Sequence, residues 1–106
     1  MDGPEQRRYP RVKPPKAVVA AWQVGTQRKV SFVDSLCVGG LFVRTKEHVP
    51  LSSVLQILLD LPVGQVRARA VVRRVVEGHG IGVEFVFMEP SDRARLFQQV
   101  NALLAT

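Results

Sequence analysis

The chain has 106 residues, of which 46% are hydrophobic, and carries 15 Lys and Arg against 9 Asp and Glu. Its length predicts one domain, because chains divide into separate cores only at roughly 250–300 residues. The apolar content argues against a disordered chain, and the net charge of +6 favours anionic partners such as phosphates, nucleic acid or an acidic protein surface. Charge alone does not choose among these partners.

The cysteine content and the absence of long apolar runs bear on location. Cys37 is the only cysteine, so no intrachain disulfide can form, and the first residues lack the apolar stretch of a signal peptide. No run approaches the roughly 20 apolar residues needed to span a bilayer. We therefore expect a cytoplasmic protein without a membrane span.

The N-terminal segment is rich in proline and charge. Each proline removes a backbone donor and biases the preceding residue toward extended conformations. The prolines are Pro4, Pro10, Pro14 and Pro15. We predict a flexible, arginine-rich arm over residues 1–15 and a β-barrel domain over residues 16–106.

Six β-strands are predicted in the domain. The first two runs, 16–23 and 28–36, are joined by a turn at Gly25 and Thr26 and form a hairpin. The glycine pair Gly39–Gly40 then breaks the chain before the next run. The later strand runs are 41–46, 54–60, a segment beginning near 66, and 81–85.

The fifth run has the clearest pattern, because apolar and basic residues alternate along it with a period of two. The apolar positions are Val66, Ala68, Ala70 and Val72, and the basic positions are Arg67, Arg69 and Arg73. This pattern predicts a strand with one buried face and one solvated basic face, although the arginines could instead extend an anion-binding groove.

A helix is predicted from about residue 90 to 104. Pro90 suits the first helical position. Phe97, Val100 and Leu104 recur at helical spacing and are expected to face the core, whereas the polar positions are Arg93, Arg95 and Gln99. Short strands followed by one helix indicate an all-β fold with a C-terminal helix: a six-stranded antiparallel barrel with the helix over one face or mouth.

Catalytic and metal-binding patterns are sparse. His48 and His79 fall in predicted turns, Cys37 has no neighbouring His, and no CxxC or HExxH spacing occurs. An enzyme needs an activated group with an orienting partner. The sequence therefore predicts a binding module rather than an enzyme, with no metal and no cofactor.

The arm carries the candidate ligand clamp. Arg7 and Arg11 are spaced RxxxR with Arg8 beside them, and guanidinium groups bind phosphate or the O6/N7 edge of guanine bidentately. At strand rise the outer pair lies about 13 Å apart, so the two groups could hold different parts of one dianionic ligand. The alternative is an ordinary solvated basic tail.

The order of these features resembles the PilZ domain family from Glu5 to Leu104: an RxxxR arm, a hairpin, a glycine pair, a basic alternating strand, the segment 82–85 and a terminal helix. The resemblance implies a six-stranded antiparallel barrel that binds cyclic di-GMP, a bacterial second messenger with two guanines and two phosphates. It also implies relay of that signal to a protein partner in motility, pilus, exopolysaccharide or transcription machinery. DNA is not expected as a partner.

The resemblance assigns candidate ligand-binding positions. Arg7 and Arg11 match the family's RxxxR positions, but the second motif, (D/N)xSxxG, is degenerate when aligned on Gly40. Asp34 lies one residue from the acidic position, and such a shift turns a side chain to the other face unless a β-bulge intervenes. The candidate set is Arg7, Arg8, Arg11, Ser35 in the Asp/Asn position, Cys37 in the Ser position, Gly39 and Gly40.

These departures weaken the predicted site without abolishing it. Ser35 offers one neutral hydroxyl and Cys37 a weak thiol donor, and losing a good bidentate base contact costs about 1–3 kcal/mol. Two alternatives therefore stay open: an adaptor that has lost the messenger, and a nonspecific anion binder. Cys37 is also interpretable as a small buried residue, and Trp22 and Phe32 as core or barrel-face residues rather than base-stacking platforms.

Overall fold

The computed structural model describes residues 10–13 and 18–105, and these residues form six β-strands and one helix. In chain order they are β1 (Val19–Val24), β2 (Gln27–Cys37), β3 (Gly40–Arg44), β4 (Val54–Leu61), β5 (Gly64–Val76), β6 (Gly80–Phe87) and α1 (Pro90–Leu104).

The strands pair in the order β1-β2-β3-β6-β5-β4, and β4 returns to β1 to close a barrel. Every pairing is antiparallel. Closure gives each of these six strands two hydrogen-bonded neighbours. The predicted six-stranded antiparallel barrel with a C-terminal helix is confirmed.

The barrel interior is filled by alternate residues of each strand. On β5 the four predicted apolar positions are buried and the three arginines are exposed, which confirms the period of two. The neighbouring strand β4 contributes Leu55, Ile57 and Leu59 to the same core. Its register with β5 runs without interruption from Val54↔Val71 to Leu61↔Gly64, so the buried faces of the two strands are continuous.

The helix begins and ends where it was predicted, but its packed face is different. Phe97 and Leu104 are 46% and 45% exposed, so the prediction that they face the core is wrong. The buried residues of α1 are Leu96, Gln99 and Val100, so Val100 packs against the core as predicted but the placement of Gln99 on the polar face is wrong. Relative to the prediction, the helix is rotated about its axis so that Leu96 rather than Phe97 faces the barrel. Arg95 accounts for this orientation, because its Nη1 donates to the Gln65 carbonyl at 2.8 Å and to Asp92 Oδ1 at 3.1 Å. These bonds fix α1 against the start of β5.

Candidate functional site

The arm joins the barrel at the end of β2. β1 begins only at Val19, opposite Phe32, so the last residues of β2 extend beyond it. Val12 pairs there instead: its N–H donates to the Leu36 carbonyl at 2.8 Å, and the Leu36 N–H donates to the Val12 carbonyl at 2.9 Å. Both side chains are buried. This bridge attaches the arm beside the second motif.

Arg11 and Ser35 meet at this junction. Arg11 precedes the bridged residue and is exposed, and its Nη1 donates to the Ser35 Oγ at 3.3 Å. Two residues predicted for the site from separate parts of the chain are therefore in contact on the barrel surface. Arg7 and Arg8 lie outside the described residues.

A β-bulge interrupts β2 at Asp34. Val33 pairs with Val43 and Ser35 pairs with Phe42, so Asp34 is an extra residue with no partner of its own on β3. In a regular strand Asp34 and its neighbour Ser35 would point to opposite faces of the sheet, but a bulge allows both side chains to lie on the outer surface. Asp34 Oδ1 accepts hydrogen bonds from Arg44 Nε at 3.1 Å and Nη2 at 2.8 Å.

The Asp34–Arg44 pair is accessible to solvent. Its side chains are 38% and 63% exposed, and exposed ion pairs contribute only about 0.2–1 kcal/mol. A ligand that offers two donors to Asp34 can therefore replace Arg44 at low cost. Together with Arg11 and Ser35, the junction offers a carboxylate, a hydroxyl and two guanidinium groups on one surface.

The remaining predicted positions lie where β2 ends and β3 begins. Cys37 is buried, as expected for a small apolar residue. The Gly39 carbonyl accepts the Phe85 N–H at 2.9 Å. At Gly40 a Cβ atom would lie 2.0 Å from the Val83 carbonyl oxygen, so glycine is required for β3 to pair with β6. Close packing against β6, independent of any ligand, accounts for Gly40.

The aromatic and histidine candidates have ordinary environments. Trp22 is buried and its Nε1 donates to Ser31 Oγ at 2.9 Å, whereas Phe32 is exposed on the barrel surface. Both aromatic residues thus occupy core or barrel-face positions, as expected. His48 and His79 are exposed.

Sequence reasoning left two residues of this junction out of the candidate set. Asp34 was set aside because a regular strand would turn it away, and Arg44 was not considered. The available signal was the spacing: relative to (D/N)xSxxG, one additional residue separates Asp34 from Gly40. An added residue in a strand is accommodated by a bulge.

Comparison with known proteins identifies the family. The family model described as PilZ domain matches residues 5–102. The chain belongs to the PilZ domain family. PilZ domains are non-enzymatic receptors of cyclic di-GMP, so the prediction of a binding module rather than an enzyme is confirmed. Among curated proteins, none matches the chain by sequence.

Solved structures share the fold. The chain is similar to K. pneumonia MrkH in its apo state (TM-score 0.78, 16% identity, 90% of this chain and 50% of that chain). It is similar to the Bacillus subtilis inhibitor of motility MotI/DgrA (TM-score 0.77, 19% identity, 100% and 58%). It is also similar to the Escherichia coli YcgR PilZ domain with c-di-GMP (TM-score 0.70, 16% identity, 94% and 92%). The chain spans about half the length of the MrkH and MotI chains.

Residues 10–13 and 18–105 contain neither a membrane-spanning helix nor a metal-binding cluster. Within those residues no helix is long and apolar enough to cross a bilayer. The same residues bring together no group of three or more His, Cys, Asp or Glu side chains suited to a metal ion. The cytoplasmic location stays a prediction.

Proposed function

We propose that this PilZ domain is a receptor that binds cyclic di-GMP at the junction between its arm and the end of β2, and passes the signal to a protein partner. The observation that supports this most directly is the Arg11–Ser35 contact, which joins the arm to the second motif. The proposed ligand-binding residues are Arg7, Arg8, Arg11, Asp34, Ser35, Cys37, Gly39 and Gly40.

The chemistry of the junction suits a dianionic dinucleotide. Arg11 is exposed and can donate a pair of hydrogen bonds to a phosphate or to the O6/N7 edge of guanine. Asp34 can accept the guanine N1 and N2 hydrogens with charge assistance, which the neutral Ser35 hydroxyl cannot. In this proposal Asp34 restores the acidic function that the sequence alignment assigned to the Ser35 position.

The attachment of the arm also favours binding. Fixing the backbone of one residue costs about 1–2 kcal/mol of conformational entropy. Val12 is already bonded to Leu36 at both its N–H and its carbonyl, so the ligand does not have to order the backbone beside Arg11. The entropic cost of ordering the arm on binding is therefore smaller, and the net affinity is correspondingly higher.

Calorimetric titration of the full chain with cyclic di-GMP tests the proposal. We expect binding in the micromolar range, and we expect Arg11→Ala to weaken it about tenfold or more because a charge-assisted hydrogen bond is worth about 1.5–3 kcal/mol. Arg93→Ala removes an exposed arginine from α1 and should leave the affinity within about twofold. No binding at several hundred micromolar ligand would refute the proposal, as would equal losses in the two variants.

A second function is favoured by the hydrogen bonds of Asp34 and the burial of Cys37. Asp34 is held by two hydrogen bonds from Arg44, and Cys37 is buried, so in this candidate the domain acts as an adaptor without the messenger. It predicts no heat of binding with cyclic di-GMP and a yield of captured partner that the dinucleotide does not change. MrkH is described as a c-di-GMP-dependent transcription regulatory factor, but for this chain the proposed partner is a protein rather than DNA.

A further inference from the structure

A row of outward-facing residues crosses four neighbouring strands of the barrel, and it is apolar on three of them and basic on the fourth. Its first residue is exposed and the two that follow are half-buried. The strand registers pair Val30 on β2 with Ala21 on β1, Ala21 with Leu58 on β4, and Leu58 with Arg67 on β5. Phe32 lies two residues along β2 on the same side. Val30 is 70% exposed and Phe32 is 53% exposed, although strand residues on a solvated face are usually polar.

A polar row runs beside it. The registers connect Arg28, Gln23, Gln56 and Arg69 across the same four strands, and Arg69 pairs with Phe87 on β6. Phe87 is also 53% exposed. We call these two rows of four residues, together with Phe32, the outer β2–β5 face.

The composition of this face is that of a protein interface. Aromatic residues and arginine are enriched at interface centres, where they contribute most of the binding energy, whereas lysine and acidic residues are depleted. Phe32 and Val30 provide the apolar anchor, and Arg67 lies at the far end of the row that begins at Val30. Arg28 and Arg69 are the first and last residues of the neighbouring polar row.

The arginines of this face lack acidic partners within the described residues. Arg28 donates to the neutral Gln23 side chain at 3.3 Å, and neither Arg67 nor Arg69 forms an ion pair there. Arg73, further along β5, is by contrast paired with Glu84 at 2.8 Å. Asp60 is the acidic residue of β4 near Arg67, and no ion pair joins them.

These charges select the kind of partner. A two-fold dimer through this face would oppose the same patch from each subunit, and unpaired arginines of both copies would repel each other. A partner with carboxylates around an apolar side chain would pair the arginines and cover Phe32. We propose that the outer β2–β5 face is a docking surface for an acidic protein segment that carries apolar anchor residues. This proposal does not require cyclic di-GMP binding.

A designed peptide probes this chemistry directly. The isotope-labelled full chain is titrated with a synthetic peptide of alternating Glu and Leu, and in parallel with its Gln-for-Glu counterpart, while backbone amide shifts are followed by NMR. We expect the acidic peptide to bind about tenfold more tightly and to shift the amides of Val30, Phe32, Leu58 and Arg67. Shifts confined to other surfaces, or no binding at millimolar peptide, would overturn the proposal.

Charge reversal on and off the face provides the matched comparison. Arg67→Glu should weaken binding of the acidic peptide about tenfold. Arg93→Glu makes the same change of charge at an exposed position of α1 and should alter binding less than about twofold. Phe32→Ser, which removes the apolar anchor, should weaken binding similarly. Amide spectra of each variant without peptide establish that the barrel is folded, so that a loss of binding reports on the face.

Other occupants are tested in the same format. A single-stranded oligothymidine, phosphatidylglycerol vesicles and the chain itself at high concentration replace the peptide. Tighter binding of the oligonucleotide or the vesicles through the same amides would assign the face to nucleic acid or to a membrane, and would overturn the proposal. Self-association that Arg67→Glu strengthens or abolishes would assign it to a second copy and overturn it too. Weaker effects of all three probes than of the acidic peptide support it.

Discussion

The β4–β5 hairpin and the β2–β3 junction use the same antiparallel pairing in different ways. β4 and β5 pair without a register shift from Val54↔Val71 to Leu61↔Gly64. β2 and β3 form a shorter ladder that is interrupted by the bulge at Asp34. Near its end β2 also pairs with the arm, through the bridge between Leu36 and Val12. The regular hairpin contributes a continuous buried face, whereas the irregular junction brings charged side chains onto the surface.

This difference separates stability from binding. Apolar residues of the regular hairpin should determine the free energy of unfolding with little effect on a ligand at the junction. Surface residues of the junction should determine affinity with little effect on unfolding. Gly40 is the exception, because it lies in the junction but is required by the pairing of β3 with β6.

Gly40→Ala should have the largest effect on stability. The added Cβ would lie 2.0 Å from the Val83 carbonyl oxygen, which is backbone and cannot move without breaking the β3–β6 ladder. We expect a loss of about 4 kcal/mol or more, or failure to fold, measured by urea denaturation. Gly25→Ala is the control, because a Cβ added there would meet no atom within 4 Å apart from its chain neighbours. Placing alanine at its φ of +57° should lower the free energy of unfolding by only about 1–2 kcal/mol. Equal losses would mean that the β3–β6 contact is not the cause.

Leu55→Ala should be the next largest change, and it tests the regular hairpin. Leu55 is fully buried on β4, and truncating a buried leucine costs about 2–5 kcal/mol. Leu51→Ala, at an exposed position before β4, should change stability by about 0.5 kcal/mol or less. Cyclic di-GMP affinity at a temperature where both variants are folded should stay unchanged. A loss of affinity in Leu55→Ala would show that the two regions are coupled.

The regular part of the fold was predictable because its pattern is local. Alternation along β5 assigns inside and outside residue by residue, and Pro90 fixes the start of α1. The rotation of α1 was not predictable, since Leu96 and Phe97 are adjacent and both apolar, and a contact from Arg95 to a distant carbonyl selects between them. Where the sequence pattern is compatible with two orientations of a helix, tertiary contacts determine which one forms.

The candidate site was predictable only in part for the same reason. The RxxxR spacing led to Arg11, and the alignment on Gly40 led to Ser35, and these two residues do meet. The bulge could not be located from the sequence, because the extra residue before Gly40 can be accommodated at more than one position of a strand. Whether Asp34 faces outward depends on that position, and so does its pairing with Arg44.

Asp34→Ala and Arg44→Ala test the junction as a pair, with a moderate effect expected on affinity. Removing Asp34 should weaken cyclic di-GMP binding by about 1–3 kcal/mol, because a bidentate base contact is lost. Removing Arg44 frees the Asp34 carboxylate and should strengthen binding slightly. Both should change the free energy of unfolding by about 1 kcal/mol or less, as for an exposed ion pair. Unchanged affinity in Asp34→Ala, measured by calorimetry, would contradict a ligand role for the bulge.

Gln99→Met should produce the smallest of these effects. It tests whether the buried face of α1 needs a polar side chain at this position. Gln99 is buried on α1, and its Oε1 has no hydrogen-bond partner in the described part of the chain. Methionine has a similar length without the unpaired acceptor, so we expect stability to rise by about 1 kcal/mol, or about 4 °C in Tm. Gln98→Met, at the exposed neighbouring position, should change little. A decrease in Tm for Gln99→Met would indicate that the amide nitrogen contributes a stabilising bond, and that the packing of α1 depends on a polar contact.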